Sequence, residues 1–175
     1  MTNYVPGRPD PSEYAPHFQG YIDQAANADD ICAALETQTG ELRALLVGVD
    51  EAKAGYRYAE EKWSIRQLIG HVADSERVFG YRSMCIARGE TQSLPGFDEK
   101  VYAAHSPADT RTLDDLLGEL ADLRSANLRM FRALTPEAWS RIGTANEKPV
   151  STRACAYVML GHLRHHMKVL RERYL

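Results

Sequence analysis

Apolar residues along this chain recur at helical rather than strand spacing in four long stretches. At about 100° per residue, Ile31, Leu35, Leu42, Leu45 and Val49 share one face, predicting a first helix from about Ala28 to Val49 with Asn27 or Asp29 near its start. The second opens at Ser64, with Gln67 three residues on as a capping box, and runs to about Arg88 before Gly89. Its face is set by Ile65, Leu68, Val72, Val78, Phe79 and Ile86. The third begins near Thr112 and ends near Leu134, with an apolar stripe from Leu113 to Phe131. The fourth, capped by Ser151 or Thr152, runs close to the C-terminus with Cys155, Val158, Met159, Val169 and Leu170 inward. Four amphipathic helices of similar length predict an all-α fold, a four-helix bundle.

The connectors differ in character. Residues 1–26 carry Pro6, Pro9, Pro11 and Pro16 among Tyr4, Tyr14, Phe18 and Tyr21, which rules out a long helix and predicts an extended arm packed over the body or onto a second subunit. The bundle domain then covers 27–175. Residues 50–63 read as a polar connector with room for a short hairpin at 54–63, and residues 143–149 read as loop. Thr135-Pro136-Glu137 starts a short helical turn. The long connection 89–111 is either a pocket wall or lid, or a crossover that the topology requires.

Each inward stripe is interrupted by polar residues away from the helix ends. Gln38 lies on the first helix, His71 on the second, Arg124 and Asn127 on the third, and His162 and His166 on the fourth. Unpaired, such groups cost on the order of 1–3 kcal/mol each, so they form a network or serve a site. His162 and His166, four apart, sit one turn apart on one face; His165 falls toward its margin. These imidazoles are either hydrogen-bonded core residues or, with His71, ligands of one metal ion. Three neutral imidazoles leave a coordination position open, as catalytic sites do. Zinc suits the set best; nickel, iron and manganese also accept imidazole. Leu163 stands where an H-E-x-x-H motif has its glutamate, and the Glu-x-x-His pairs of di-iron bundles are missing. Asp74, one turn beyond His71, either helps the site or pairs with Arg77. Arg124 either binds an anionic substrate group or pairs with Asp74 or Glu76.

Composition narrows the field. A net charge of −3 over 175 residues, with no run of Lys or Arg, speaks against nucleic acid or an anionic membrane as partner. No apolar run spans a bilayer. Cys32, Cys85 and Cys155 are odd in number and widely spaced, which predicts reduced thiols in a cytoplasmic protein.

Three blocks, Trp63-Ser64-Ile65-Arg66-Gln67, Gly70-His71-Val72-Ala73-Asp74-Ser75-Glu76-Arg77 and Gly161-His162-Leu163-Arg164-His165-His166, resemble the DinB/YfiT-like superfamily. The resemblance covers about residues 28–173 and implies a four-helix bundle with a three-histidine metal site at His71, His162 and His166. It implies metal-dependent hydrolysis of a small molecule or transfer to a low-molecular-weight thiol such as bacillithiol or mycothiol; one relative isomerises maleylpyruvate with mycothiol. Homodimers are frequent in the family. Val169 replaces a glutamine that many relatives carry three residues after the last ligand. The competing expectation is a non-catalytic metal-binding or stress-response module, with Asp74, Arg124 and Asn127 as candidate second-layer or substrate contacts in the enzymatic case.

Overall fold

The computed structural model describes residues 4–175. Its helices, in chain order, are α1 (Gln19–Ala25), α2 (Ile31–Leu45), α3 (Glu51–Ala54), α4 (Ile65–Ala87), α5 (Glu99–His105), α6 (Leu113–Arg132), α7 (Pro136–Ser140) and α8 (Thr152–Val169). The four long ones form the bundle. α2 and α4 each pack against both α6 and α8, so the first and second bundle helices lie diagonally opposite, as do the third and fourth, while α4 and α6 are neighbours. The connection 89–111 returns from the C-terminal end of α4 to its N-terminal end, where Ser64 donates to Asp109, and also supplies a wall of the cavity described below.

Local chemistry explains the helix ends. Ser64 caps α4 in a reciprocal box with Gln67, Asp30 caps α2 through the N–H groups of Cys32 and Ala33, and Thr112 and Ser151 cap α6 and α8. α2 ends at Leu45, short of the predicted Val49, as the chain turns through Gly48 at φ +85°.

Three expectations for the connectors are corrected. The N-terminal segment is not an extended arm. Pro11 and Pro16 each start a 3₁₀ turn, where a missing N–H costs nothing, and α1 follows. This segment lies along α8 of its own chain. Glu13 pairs with Arg153, Arg164 donates to the Gln24 carbonyl at 2.7 Å and to Asn27 Oδ1, and Tyr157 donates to the Pro6 carbonyl at 3.5 Å. Gly161 makes the approach possible: a Cβ there would lie 1.9 Å from the Tyr21 carbonyl oxygen.

Residues 54–63 form no hairpin. They wrap the C-terminus, with the Trp63 carbonyl accepting from Tyr174 at 2.6 Å and Tyr56 and Tyr58 edge-on to the Tyr174 ring. The hairpin lies instead at 142–151, read above as loop, with β1 (Ile142–Ala145) antiparallel to β2 (Lys148–Ser151). Asn146 and Glu147, both at positive φ, make its two-residue turn. Leu94 bridges the free edge of β1, and Pro149, which has no N–H to give, sits on edge strand β2.

The bundle core is divided in two. One apolar cluster surrounds Leu35, Phe79, Leu128 and the first half of α8. The other surrounds Leu42, Val72, Leu120 and Leu163. Between them lie Gln38, Glu76, Arg124 and His162, all buried.

Candidate metal centre

α4 brings in His71 and α8 brings in His162 and His166, one turn apart. All three are buried, at 7, 7 and 8% exposure. His162 Nε2 lies 3.0 Å from Nε2 of His71 and 3.0 Å from Nε2 of His166. The three potential ligand atoms all lie within 4.8 Å of one another. Trp63 packs against His71 with ring centroids 4.6 Å apart, and Tyr21 of α1 meets His162 edge-on at 5.3 Å. The ring positions are thus held by neighbours on both sides.

Burial sets the charge state. It pushes the pKa of His71 down to about 4, with Glu99 acting in the opposite direction. It lowers His166 to about 3 and holds His162 well below its ordinary value; His71 and His165 add to both effects, and His166 adds to that on His162. At neutral pH the three rings are uncharged. Three neutral imidazoles that bring their Nε2 atoms together cannot satisfy one another: one proton serves one contact, and the remaining lone pairs face each other. His166 Nδ1, buried and without a hydrogen-bond partner among the described residues, offers no relief. A divalent cation answers all three nitrogens at once, and tetrahedral coordination at 2.0–2.1 Å separates ligand nitrogens by roughly 3.4 Å, near the spacing observed. The cluster fits a divalent metal ion.

It forms one wall of a cavity of about 320 Å³. Ser75 and Phe79 continue the α4 wall from His71, Phe18 and Tyr21 come from the N-terminal segment, and Phe97 and Glu99 come from the 89–111 connection. The hairpin closes another side with Asn146, Lys148 and Val150.

Asp74, Arg124 and Asn127 do not line this cavity. Asp74 is half-buried and touches Arg77 at 3.4 Å; burial raises its pKa. Arg124, 1% exposed, donates from Nε and Nη2 to the two Glu76 oxygens at 2.8 and 2.9 Å, and from Nη1 to Gln38 Oε1 and the Leu35 carbonyl at 3.0 Å. Asn127 donates to Glu76 Oε1 at 3.0 Å beside Gly80, where a Cβ would lie 2.5 Å from its side chain. The guanidinium of Arg124 is therefore committed to the bundle interior, not to a substrate. His17 is exposed but lines the cavity mouth, and His105 is exposed on α5. Cys155 is fully buried, which raises its thiol to about 12 and leaves it inert as a nucleophile.

Sequence reasoning overlooked Arg82, Tyr21, Glu99 and Lys148 as cavity residues. For Arg82 the signal was present: it follows His71 by eleven residues, three helical turns, and so shares its face. No local pattern could have assigned Tyr21, Glu99 or Lys148, because each reaches the cavity through a connector whose path is set by tertiary contacts.

A model of the DinB superfamily matches residues 34–170. A Bacillus licheniformis protein named "putative metal-dependent hydrolase" is 31% identical over 133 residues, 72% of this chain and 73% of that protein. An Oceanobacillus iheyensis protein bearing the same description is 30% identical over 69 residues; the match spans 39% of this chain and only 40% of that relative. Among solved structures, YfiT from Bacillus subtilis, described as a probable metal-dependent hydrolase with an unusual four-helix bundle topology, superposes with a TM-score of 0.75 at 20% identity, covering 81% of this chain and 82% of YfiT. The family match begins inside α2 and ends just past α8, taking in every bundle helix and all three histidines: the chain belongs to the DinB superfamily.

Proposed function

We propose that this protein is a metal-dependent hydrolase of a small molecule, with His71, His162 and His166 holding the ion and the adjoining cavity holding the substrate. The observation that carries the reading is the convergence of three uncharged, buried Nε2 atoms on the wall of a cavity. Zinc is the ion the donor set suits best. Bound by these three residues, it would polarise a carbonyl and lower the pKa of water or a thiol toward neutrality. The relatives named as metal-dependent hydrolases support this assignment.

The remaining parts belong to the protein. Trp63 and Tyr21 hold the His71 and His162 rings in place. Phe18, Phe79 and Phe97 keep water from an apolar substrate body. Glu99 is the carboxylate lining the cavity among the described residues, and its charge acts on both His71 and Tyr21. It is the group we assign to accept a proton from the attacking nucleophile at a carboxylate oxygen.

The test is to strip the protein with chelator, reload it with zinc and assay a panel of small esters and amides. Zinc-dependent turnover, lost in His162→Ala, is the expected result. Adduct formation between an electrophile and a low-molecular-weight thiol, without ester or amide turnover, would move the assignment to thiol transfer. Collapse of helicity on metal removal, with no turnover of either kind, would make the centre structural.

A further inference from the structure

The cavity contains a second polar group that the histidine cluster does not explain. Arg82 lines it from α4. At about 100° per residue it lies within about 20° of His71 around the helix, and roughly 16 Å farther along the axis. Helical side chains lean toward the N-terminus, so Arg82 leans back toward the histidines, with Ser75 and Phe79 lining the cavity between them.

Arg82 is 5% exposed, yet no carboxylate among the described residues forms an ion pair with it. Its Nη2 donates to the Pro95 carbonyl at 2.8 Å, and its Nε is buried with no acceptor among the described residues. The guanidinium lies 5.4 and 5.9 Å from the Phe79 and Phe97 ring centroids. Burial lowers its pKa, but a guanidinium keeps its charge near neutrality. A buried cation left without a counter-ion is expensive, and the expense is relieved when an anion arrives to pair with it.

We propose that the cavity binds a small organic carboxylate whose anionic end pairs with Arg82 while its reacting group lies at the histidine cluster. The inference rests on the cavity being the reaction site argued above. Arginine has five N–H donors. Whichever Nη2 hydrogen Pro95 takes, one complete two-donor edge of the fork remains, and such an edge matches a carboxylate. Lys148, the other cation on the lining, is exposed, so the buried end of the cavity offers one positive charge. That suits a monoanion better than a dianionic phosphate. The aromatic lining suits an apolar body between the two ends.

The experiment compares 3-phenylpropionate with 3-phenylpropionamide, the same shape without the charge, by titration calorimetry on the full chain. Each is titrated into chelator-treated protein. The expected result is at least ten-fold tighter binding of the carboxylate. In Arg82→Gln that preference disappears while the amide binds as before. In Arg82→Lys, which keeps the charge and loses the fork, the preference is reduced but present. In Lys148→Gln it is unchanged. Equal affinity for the two probes, binding of neither, a preference that survives Arg82→Gln, or one abolished by Lys148→Gln would each overturn the proposal. If Arg82→Gln does not fold, the wild-type ratio and the Arg82→Lys protein decide. Because the preference is read without metal, failure of zinc-dependent turnover would remove the hydrolase reading and the placing of a reacting group at the histidines, and would leave the carboxylate site at Arg82 standing.

Discussion

Arg124 and Arg82 are both almost fully buried, on helices that pack against each other, and they differ in what meets them. Arg124 is enclosed by Glu76, Gln38 and a backbone carbonyl, with both carboxylate oxygens engaged. Arg82 meets one carbonyl and two aromatic faces. The same contrast holds for the polar groups around them. The Gln38–Arg124–Glu76–Asn127 layer closes on itself, and Gln38 completes it by donating to the Leu160 carbonyl at 2.8 Å. The histidine cluster, by comparison, presents lone pairs to one another. A network whose donors and acceptors balance needs nothing from outside and serves the fold. One that does not balance is completed by something that binds.

The largest expected effect falls on the unbalanced cluster. Elemental analysis should find one divalent ion per wild-type chain and none in His162→Ala, while circular dichroism shows the helices retained. Loss of the fold in that variant would mean the histidines belong with the closed layer.

Acidity should separate the two regions next. The folded pKa values of His71 and His166 lie at about 4 and about 3, below the unfolded value near 6.5, so the unfolded chain binds more protons through that window. Stability of the metal-free protein is therefore complete above about pH 6.5 and falls as pH drops toward 4, by about 1.4 kcal/mol per pH unit for each such histidine. Urea denaturation at stepped pH would show the slope, and the triple His→Ala variant should flatten it. An unchanged slope would place the acid sensitivity elsewhere.

Removing one partner from the closed layer should cost stability without touching the metal. Arg124→Met strands the Glu76 carboxylate and is expected to cost about 3–5 kcal/mol, read from urea midpoints. The double variant Glu76→Leu/Arg124→Met should recover much of it. A metal content that fell with Arg124→Met would join the two regions into one.

The smallest effect concerns the N-terminal wall of the cavity. Gly161→Ala forces a Cβ against the Tyr21 carbonyl, and overpacking of this kind costs about 1–3 kcal/mol. Limited proteolysis should then cut near α1 before it cuts the bundle. Proteolysis unchanged from wild type would show that α1 can shift without detaching.

Several features of the site were legible in the residue order because they are local. Helical period alone put His162 beside His166, placed His71 on an inward face and showed Gln38 and Arg124 interrupting apolar stripes. The capping box at Ser64 and Gln67 marked the start of α4 to the residue. The hairpin was not legible: its turn is Asn146-Glu147, lacking the glycine that usually announces such turns, and a proline interrupts its second strand. The short helices of the N-terminal segment were hidden by prolines that begin turns as readily as they break helices.

What the sequence by itself determined is the set of long helices and the polar residues on their inner faces, because backbone hydrogen bonds and side-chain period act within a few residues. Only the tertiary structure decided which polar groups meet. α4 packs against both α6 and α8, so Glu76 closes on Arg124 of α6, while His71 of the same helix turns to α8. The same packing brings connectors from four parts of the chain around the histidines and leaves Arg82 in no ion pair with a carboxylate of the described residues. Partner choice between faces depends on the depth and order of helices tens of residues apart, and no local period encodes that.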